Sequence, residues 1–292
     1  MAAAPIFAIV SPFRKDGALD PVALKDYVSF LEAHGVQRII AGGTTGEFAS
    51  MTLPERKRLL ELCRASFRGE IIAHVSACNA PDAAELLHHA TDNADAALLM
   101  PPFYYREPPA EGVAAFLKHV LWQSSLPAYL YNFPRHVQFG ITPELLAEIS
   151  REVPHLKGIK ESGGWPGLAV EFKQACPSLA VYVGSDNAAL AILQHGLDGT
   201  VTGGSNAVPK LLVELVKAWN GGNAELASQY QTRLTQWGDA RRLSGLDEIP
   251  TTKAVLAAML PGFPLHVRPP LVPATEPDVK LADLAKGLMN GG

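Results

Sequence analysis

The sequence predicts an α/β protein: a (β/α)8 barrel of the triosephosphate isomerase (TIM) type with a C-terminal helical extension. Three observations carry this expectation. Eight short apolar runs alternate with longer amphipathic stretches of helical period. The apolar runs are near-continuous, as strands buried on both faces of a parallel sheet are. After Pro209 the alternation stops and only helical patterns follow.

The expected strands are residues 6–10, 38–41, 71–75, 96–100, 128–132, 158–161, 181–184 and 199–202. The first helix, 21–33, carries Leu24, Tyr27, Val28 and Leu31 on one face. Thr52 is a suitable N-cap for a helix over 54–67, with Pro54 and Glu55 in its first turn. Helices over 82–91, 112–124, 143–150, 166–175 and 187–195 repeat the pattern, and 211–219, 224–243 and 251–260 follow. Gly221-Gly222 is the cleanest break, dividing a barrel domain, 1–220, from a helical extension, 221–292. Arg268-Pro269-Pro270-Leu271-Val272-Pro273 reads as rigid and extended. A doubly wound open sheet would want a glycine-rich phosphate turn after the first strand, where this chain has Ser11-Pro12-Phe13.

A length of 292 residues suits one barrel with an appendage, and 48% hydrophobic with 18% charged residues describes a well-cored protein. A net charge of −4 leaves no basic footprint for nucleic acid. No apolar run reaches the ~18 residues of a membrane span. Met1-Ala2-Ala3-Ala4-Pro5 lacks the positive region of a signal peptide, so a cytoplasmic location is expected. Cys63, Cys78 and Cys176 are odd in number and widely spaced, and read as reduced thiols and small core residues.

Chemistry in such a barrel sits where strands run into the following loops. Three segments fall there: Gly42-Gly43-Thr44-Thr45-Gly46-Glu47 after strand two, Tyr129-Leu130-Tyr131-Asn132-Phe133-Pro134 at the end of strand five, and Lys160 near the end of strand six. Strand alternation puts Gly158 and Lys160 on one face and Ile159 and Glu161 on the other, with the small Gly158 leaving room for a ligand. A lysine amine attacks a carbonyl only when neutral, and a free lysine titrates near ~10.4. An apolar interior favours the neutral amine. Threonine and tyrosine hydroxyls can then move protons and grip a carboxylate, which is the equipment of a Schiff-base aldolase with no cofactor beyond the imine on Lys160. Each piece has a structural alternative. Lys160 could pair with the adjacent Glu161, Tyr131 could be a core tyrosine, and the glycine-threonine segment could be only a tight turn.

Taken together, these segments resemble the dihydrodipicolinate synthase and N-acetylneuraminate lyase superfamily of pyruvate-dependent class I aldolases. Gly43-Thr44-Thr45-Gly46-Glu47 is similar to its Gly-Thr-Thr-Gly-Glu signature, Tyr131-Asn132-Phe133-Pro134 to its Tyr-Asn-x-Pro strand, and Gly158-Ile159-Lys160-Glu161-Ser162 to its Schiff-base lysine strand. The resemblance runs from about Pro5 through the last barrel strand. It implies that Lys160 forms the imine with the C2 carbonyl of pyruvate or a 2-keto acid and that Tyr131 carries protons. It implies that Thr44 links Tyr131 to a second tyrosine, Tyr105, which reaches a neighbouring subunit's site. Thr45, with Gly43 and the surrounding amides, would hold the carboxylate. Gly184 and Val201 would line the pocket floor. The implied assembly is a homo-oligomer, a dimer of dimers.

One departure bears on the substrate. Dihydrodipicolinate synthases carry an arginine two residues after the proline of Tyr-Asn-x-Pro, and here that position is His136, with Arg135 one residue earlier. Phe133 and the Arg268-Pro269-Pro270 stretch look more like 2-keto-3-deoxy sugar acid aldolases. The expected function is therefore reversible aldol cleavage of a hydroxylated 2-keto acid, with dihydrodipicolinate synthase as the runner-up. Other classes remain open: a metal-dependent barrel enzyme, though the nine histidines form no His-x-His or His-Glu-x-x-His; a phosphate site at Thr202-Gly203-Gly204-Ser205-Asn206, more simply a turn capped by Ser205 or Asn206; and a regulator that keeps only a keto-acid pocket.

Overall fold

Strands that are apolar on both faces cannot leave either face in water, and closing them into a ring covered by helices solves this. The computed structural model describes residues 4–291, so residues 1–3 of the N-terminal stretch that lacks the positive region of a signal peptide lie outside it. Among the described residues are eight parallel strands, β1 (Ile6–Ala8), β2 (Arg38–Ala41), β3 (Glu70–His74), β4 (Ala96–Leu99), β5 (Ala128–Asn132), β6 (Leu156–Glu161), β7 (Ala180–Val183) and β8 (Gly199–Thr202). They pair in chain order and β8 closes on β1. The expected TIM barrel is the observed fold.

The helices are α1 (Pro21–Ala33), α2 (Leu53–Ser66), α3 (Ala80–Asn93), α4 (Ala110–Leu121), α5 (Pro134–Val137), α6 (Pro143–Glu152), α7 (Gly167–Ala175), α8 (Ala189–Gln194) and α9 (Pro209–Asn220). The extension adds α10 (Ala224–Arg242), α11 (Glu248–Met259) and α12 (Val279–Asn290). Local chemistry starts them where expected. Asp20 accepts the amides of Val22 and Ala23 at the head of α1. Thr52 and Glu55 form a reciprocal capping box at the head of α2. Leu24, Tyr27, Val28 and Leu31 of α1 are buried, as their spacing predicts.

Several expectations are corrected. β6 begins at Leu156, two residues early, because the pairing slips there: Ala128 faces Leu156 but Tyr129 faces Gly158, which leaves Lys157 as an exposed bulge. The four-residue α5 and the final α12 were not anticipated, and the stretch from Arg268 to Pro273 is not extended throughout: the Leu271 amide donates to the Arg268 carbonyl at 3.0 Å across a turn at Pro269-Pro270. Neither Ser205 nor Asn206 caps α9, whose N-cap position is Val208. Instead Asn206 donates to the carbonyls of Ala8 and Gly203, and the Ser205 and Thr202 hydroxyls donate to Asp186. An anion there would meet a carboxylate and donors already in use. Cys63 and Cys176 are buried, but Cys78 is exposed in the loop before α3 and is no core residue.

The extension does not stand apart. α9 ends at Asn220 and α10 starts at Ala224, so the break falls where Gly221-Gly222 lies. Trp237 of α10 is buried and its indole donates to the Gly204 carbonyl at 2.8 Å. No helix among the described residues is long and apolar enough to cross a membrane.

Candidate active site

The slip between β5 and β6 sets the site. Beyond it, Tyr131 lies directly opposite Lys160, and both point into the barrel near the strand ends. Lys160 is 9% exposed, and its Nζ sits 3.9 Å from the centroid of the Tyr131 ring. Among the described residues no carboxylate forms an ion pair with Lys160. Glu161, the partner the structural alternative offered, faces the other way and is fully buried. It accepts from the Asn132 side chain and from the amides of Gly163 and Gly164. Gly158 has a different role from the one expected. A Cβ there would stand 2.1 Å from the Ala180 carbonyl oxygen, so the glycine permits close approach of β6 to β7 rather than room for a ligand.

A cavity of about 410 Å³ opens above Lys160. Thr44, Thr45, Tyr131, Lys160, Gly184, Val201 and His136 all line it, and so does Arg135. The structure thus gathers seven of the nine candidate residues into one wall. Gly43 lies outside the lining, a Cβ there would stand 3.2 Å from the Ile40 side chain, and only its backbone can contribute. Tyr105 is also outside. It is 71% exposed in the loop after β4, edge-on to Tyr104 at 5.6 Å. No hydrogen bond joins Thr44 to Tyr131 among the described residues.

Sequence reasoning named Phe133 and Arg135 for their bearing on the substrate but missed other wall residues. Phe133 stacks on Tyr131 at 5.6 Å and on His136 at 3.8 Å, continuing an aromatic column from the barrel to the rim. Ser162 comes from the end of β6, whereas Glu248 and Ile249 come from the start of α11, far along the chain. Glu248 and Thr45 flank Gly203 so closely that a Cβ would lie 2.5 Å and 2.6 Å from their oxygens. Crowding by protein raises the Glu248 carboxyl above its ordinary range, while Arg241 at 3.7 Å pulls the other way. Burial lowers the His136 imidazole, and Arg135 adds to this.

His74, beneath the site in β3, packs edge-on to Tyr131 at 6.2 Å and to Phe48 at 4.4 Å. Burial pushes its imidazole well below the usual value, and the charges of Arg56 and Lys160 act in the same direction. A neutral histidine under Tyr131 adds no positive charge near the amine. Among the described residues no group of three or more His, Cys, Asp or Glu side chains is arranged to hold a metal ion.

The sequence profile of the Dihydrodipicolinate synthetase family matches residues 2–286. The chain belongs to that family. Members include the 4-hydroxy-tetrahydrodipicolinate synthase of Methanothrix thermoacetophila, 33% identical over 95% of this chain and 94% of its own. The enzyme of the same name from Geotalea uraniireducens is 32% identical over 96% and 97%. YagE, a prophage protein of E. coli K12 solved with pyruvate, superposes with a TM-score of 0.90 at 26% identity over 98% of each chain. A Sulfolobus solfataricus 2-keto-3-deoxygluconate aldolase variant, solved with L-2-keto-3-deoxygalactonate, gives 0.85 at 25% identity over 98% and 96%. Family membership makes this chain a carbon–carbon lyase of the pyruvate-dependent class I aldolase superfamily.

Proposed function

We propose that Lys160 forms an imine with C2 of a hydroxylated 2-keto acid, such as a 2-keto-3-deoxy sugar acid, and that the enzyme cleaves it reversibly to pyruvate and an aldehyde. The observation that carries this reading is the Lys160 amine itself, in no ion pair among the described residues and 3.9 Å from the Tyr131 ring inside an open cavity. Attack of the amine on C2 gives a carbinolamine, and loss of water, with Tyr131 carrying the protons, gives the iminium. The iminium is an electron sink. Loss of the C4 hydroxyl proton breaks the C3–C4 bond, the aldehyde departs, and the electron pair stays as the enamine. Protonation at C3 and hydrolysis release pyruvate. Because the iminium does the work of a Lewis acid, the step needs no metal.

Thr45 and the amides beside it, Gly43 included, offer donors for the carboxylate, and Thr44 offers a hydroxyl to the proton path. Gly184 and Val201 border the same space, with His136 toward the outer end. The ligands of the two structural neighbours, pyruvate and a 2-keto-3-deoxy sugar acid, fit this division. We also propose a cytoplasmic homotetramer, a dimer of dimers, in which the exposed Tyr105 completes a neighbouring copy's site.

A second reading is condensation of pyruvate with aspartate semialdehyde. The relatives named 4-hydroxy-tetrahydrodipicolinate synthase favour it, and Arg135 in the cavity wall could meet a second carboxylate. His136 at the expected arginine position weighs against it. Purified enzyme should release pyruvate from 2-keto-3-deoxygluconate or its galacto epimer with kcat/KM at least about tenfold above that for the condensation. The opposite ratio would transfer the assignment to the synthase.

A further inference from the structure

Lys253 and Glu47 form an ion pair with both side chains 0% exposed and Nζ 2.5 Å from Oε1. Neither residue has a part in the chemistry above. Burying two charges costs solvation that their attraction only partly offsets, so such a pair is a poor device for stability alone. Its location is more telling. Glu47 closes the turn that carries Thr44 and Thr45: its amide donates to the Thr44 carbonyl at 3.0 Å, and the next amide, of Phe48, to Gly43 at 3.3 Å. The Glu47 backbone is left-handed, with φ 60° and ψ 35°. A non-glycine residue keeps that conformation only where its surroundings over-determine it.

Those surroundings come from the C-terminal extension. Lys253 projects from α11 and also donates to the His266 carbonyl at 2.7 Å. The Arg268 amide donates to the other Glu47 oxygen at 2.8 Å. Both cations lie on the ring of Phe13, which follows β1, at 4.7 Å and 4.4 Å. The same helix α11 opens with Glu248 and Ile249 in the cavity wall. One buried contact therefore registers the turn and the helix, whose Thr45 and Glu248 side chains meet over Gly203 in the site.

We propose that Lys253 is a positioning residue: through Glu47 it clamps α11 to the turn bearing Thr44 and Thr45 and so sets the geometry of the keto-acid carboxylate site. Lys160 and Tyr131 lie on other strands and do not depend on the clamp.

The test uses the full-length double variant Lys253→Met/Glu47→Gln, which removes both charges and leaves no orphaned buried ion. Its melting temperature should stay within about 5 °C of the parent. Amide hydrogen exchange over residues 43–48 should quicken by about tenfold or more relative to β5 and β6. The KM for pyruvate should rise about tenfold or more, with kcat changing less. A folded double variant that keeps the parental exchange or the parental KM overturns the proposal, because the pair would then be structural only. If the double variant does not fold, Lys253→Gln/Glu47→Gln, equally free of a buried charge and with a polar group at both positions, decides by the same two readouts. The kinetic arm rests on the pyruvate reading and the exchange arm does not. A parent enzyme that cannot be trapped with pyruvate would defeat that reading and leave the clamp to the exchange data.

Discussion

Each end of the barrel holds a basic side chain in its interior, and the two are treated in opposite ways. At the N-terminal end Arg38 donates to both oxygens of Glu70 at 2.8 Å and to the Tyr182 hydroxyl at 2.7 Å. Burial alone would lower its guanidinium, but Glu70 and Tyr182 outweigh that and hold it above its ordinary value. At the C-terminal end Lys160 has an aromatic face and an open cavity, and among the described residues it forms no ion pair, although Glu248 lines the same cavity. Tyr182 stands between them: it is the register neighbour of Lys160 on β7, yet its hydroxyl belongs to Arg38. A basic side chain that is fully paired ties strands together, and one held in no ion pair beside an open cavity is accessible for covalent chemistry.

Substitutions at the two ends should separate these roles. Lys160→Ala is the largest expected effect, with turnover below detection while the melting temperature stays within a few degrees, since the side chain borders a cavity and anchors no ion pair. Measurable aldolase activity in a clean preparation of that variant would break the comparison. Tyr131→Phe keeps the ring against Phe133 and loses the hydroxyl, and steady-state assays should show kcat lower by roughly 10²–10⁴-fold. Arg38→Met should do the reverse. Leaving Glu70 and the Tyr182 hydroxyl without their partner should lower unfolding free energy in denaturant by about 1–3 kcal/mol, with kcat unchanged within about twofold. If kcat falls instead, the two ends are coupled.

A smaller effect concerns the strap after α11. Arg268 binds both oxygens of Glu55 and holds that carboxyl down to about 2 from 4.5. A depressed carboxyl stabilises the fold fully above pH 4.5, and this contribution is lost as the pH falls toward 2. Acid titration should therefore lower the amide protection around Arg268, measured relative to the intrinsic exchange rate, across that window, and Glu55→Gln should remove that dependence. Last, extended dialysis against a chelator should leave turnover within assay error, where a metal-dependent mechanism requires its loss.

Much of this architecture was legible in the sequence because strand periodicity and helix caps are local signals. Thr52 with Glu55, and the apolar face of α1, needed no tertiary knowledge. The three motif segments located Thr44, Tyr131 and Lys160 because each lies at a strand end, where a barrel must place chemistry. The bulge at Lys157 was not legible, since it arises from pairing between two strands. Glu248 and Ile249 were missed for the same reason: only the packing of the extension brings α11 to the cavity, and their local pattern says nothing but helix. Helix α12 had a usable signal in Leu281, Ala282, Ala285 and Met289, but the preceding prolines masked it. Tyr105 sits on an exposed loop outside the cavity, and only the proposed assembly would give it a part in the site.

The most direct test is borohydride trapping with pyruvate followed by peptide mass spectrometry. The lysine at the open end, in no ion pair among the described residues, predicts a stable adduct on the peptide that contains Lys160, and its absence in Lys160→Ala. No adduct, or an adduct on another lysine, would contradict the central claim that Lys160 is the imine-forming residue.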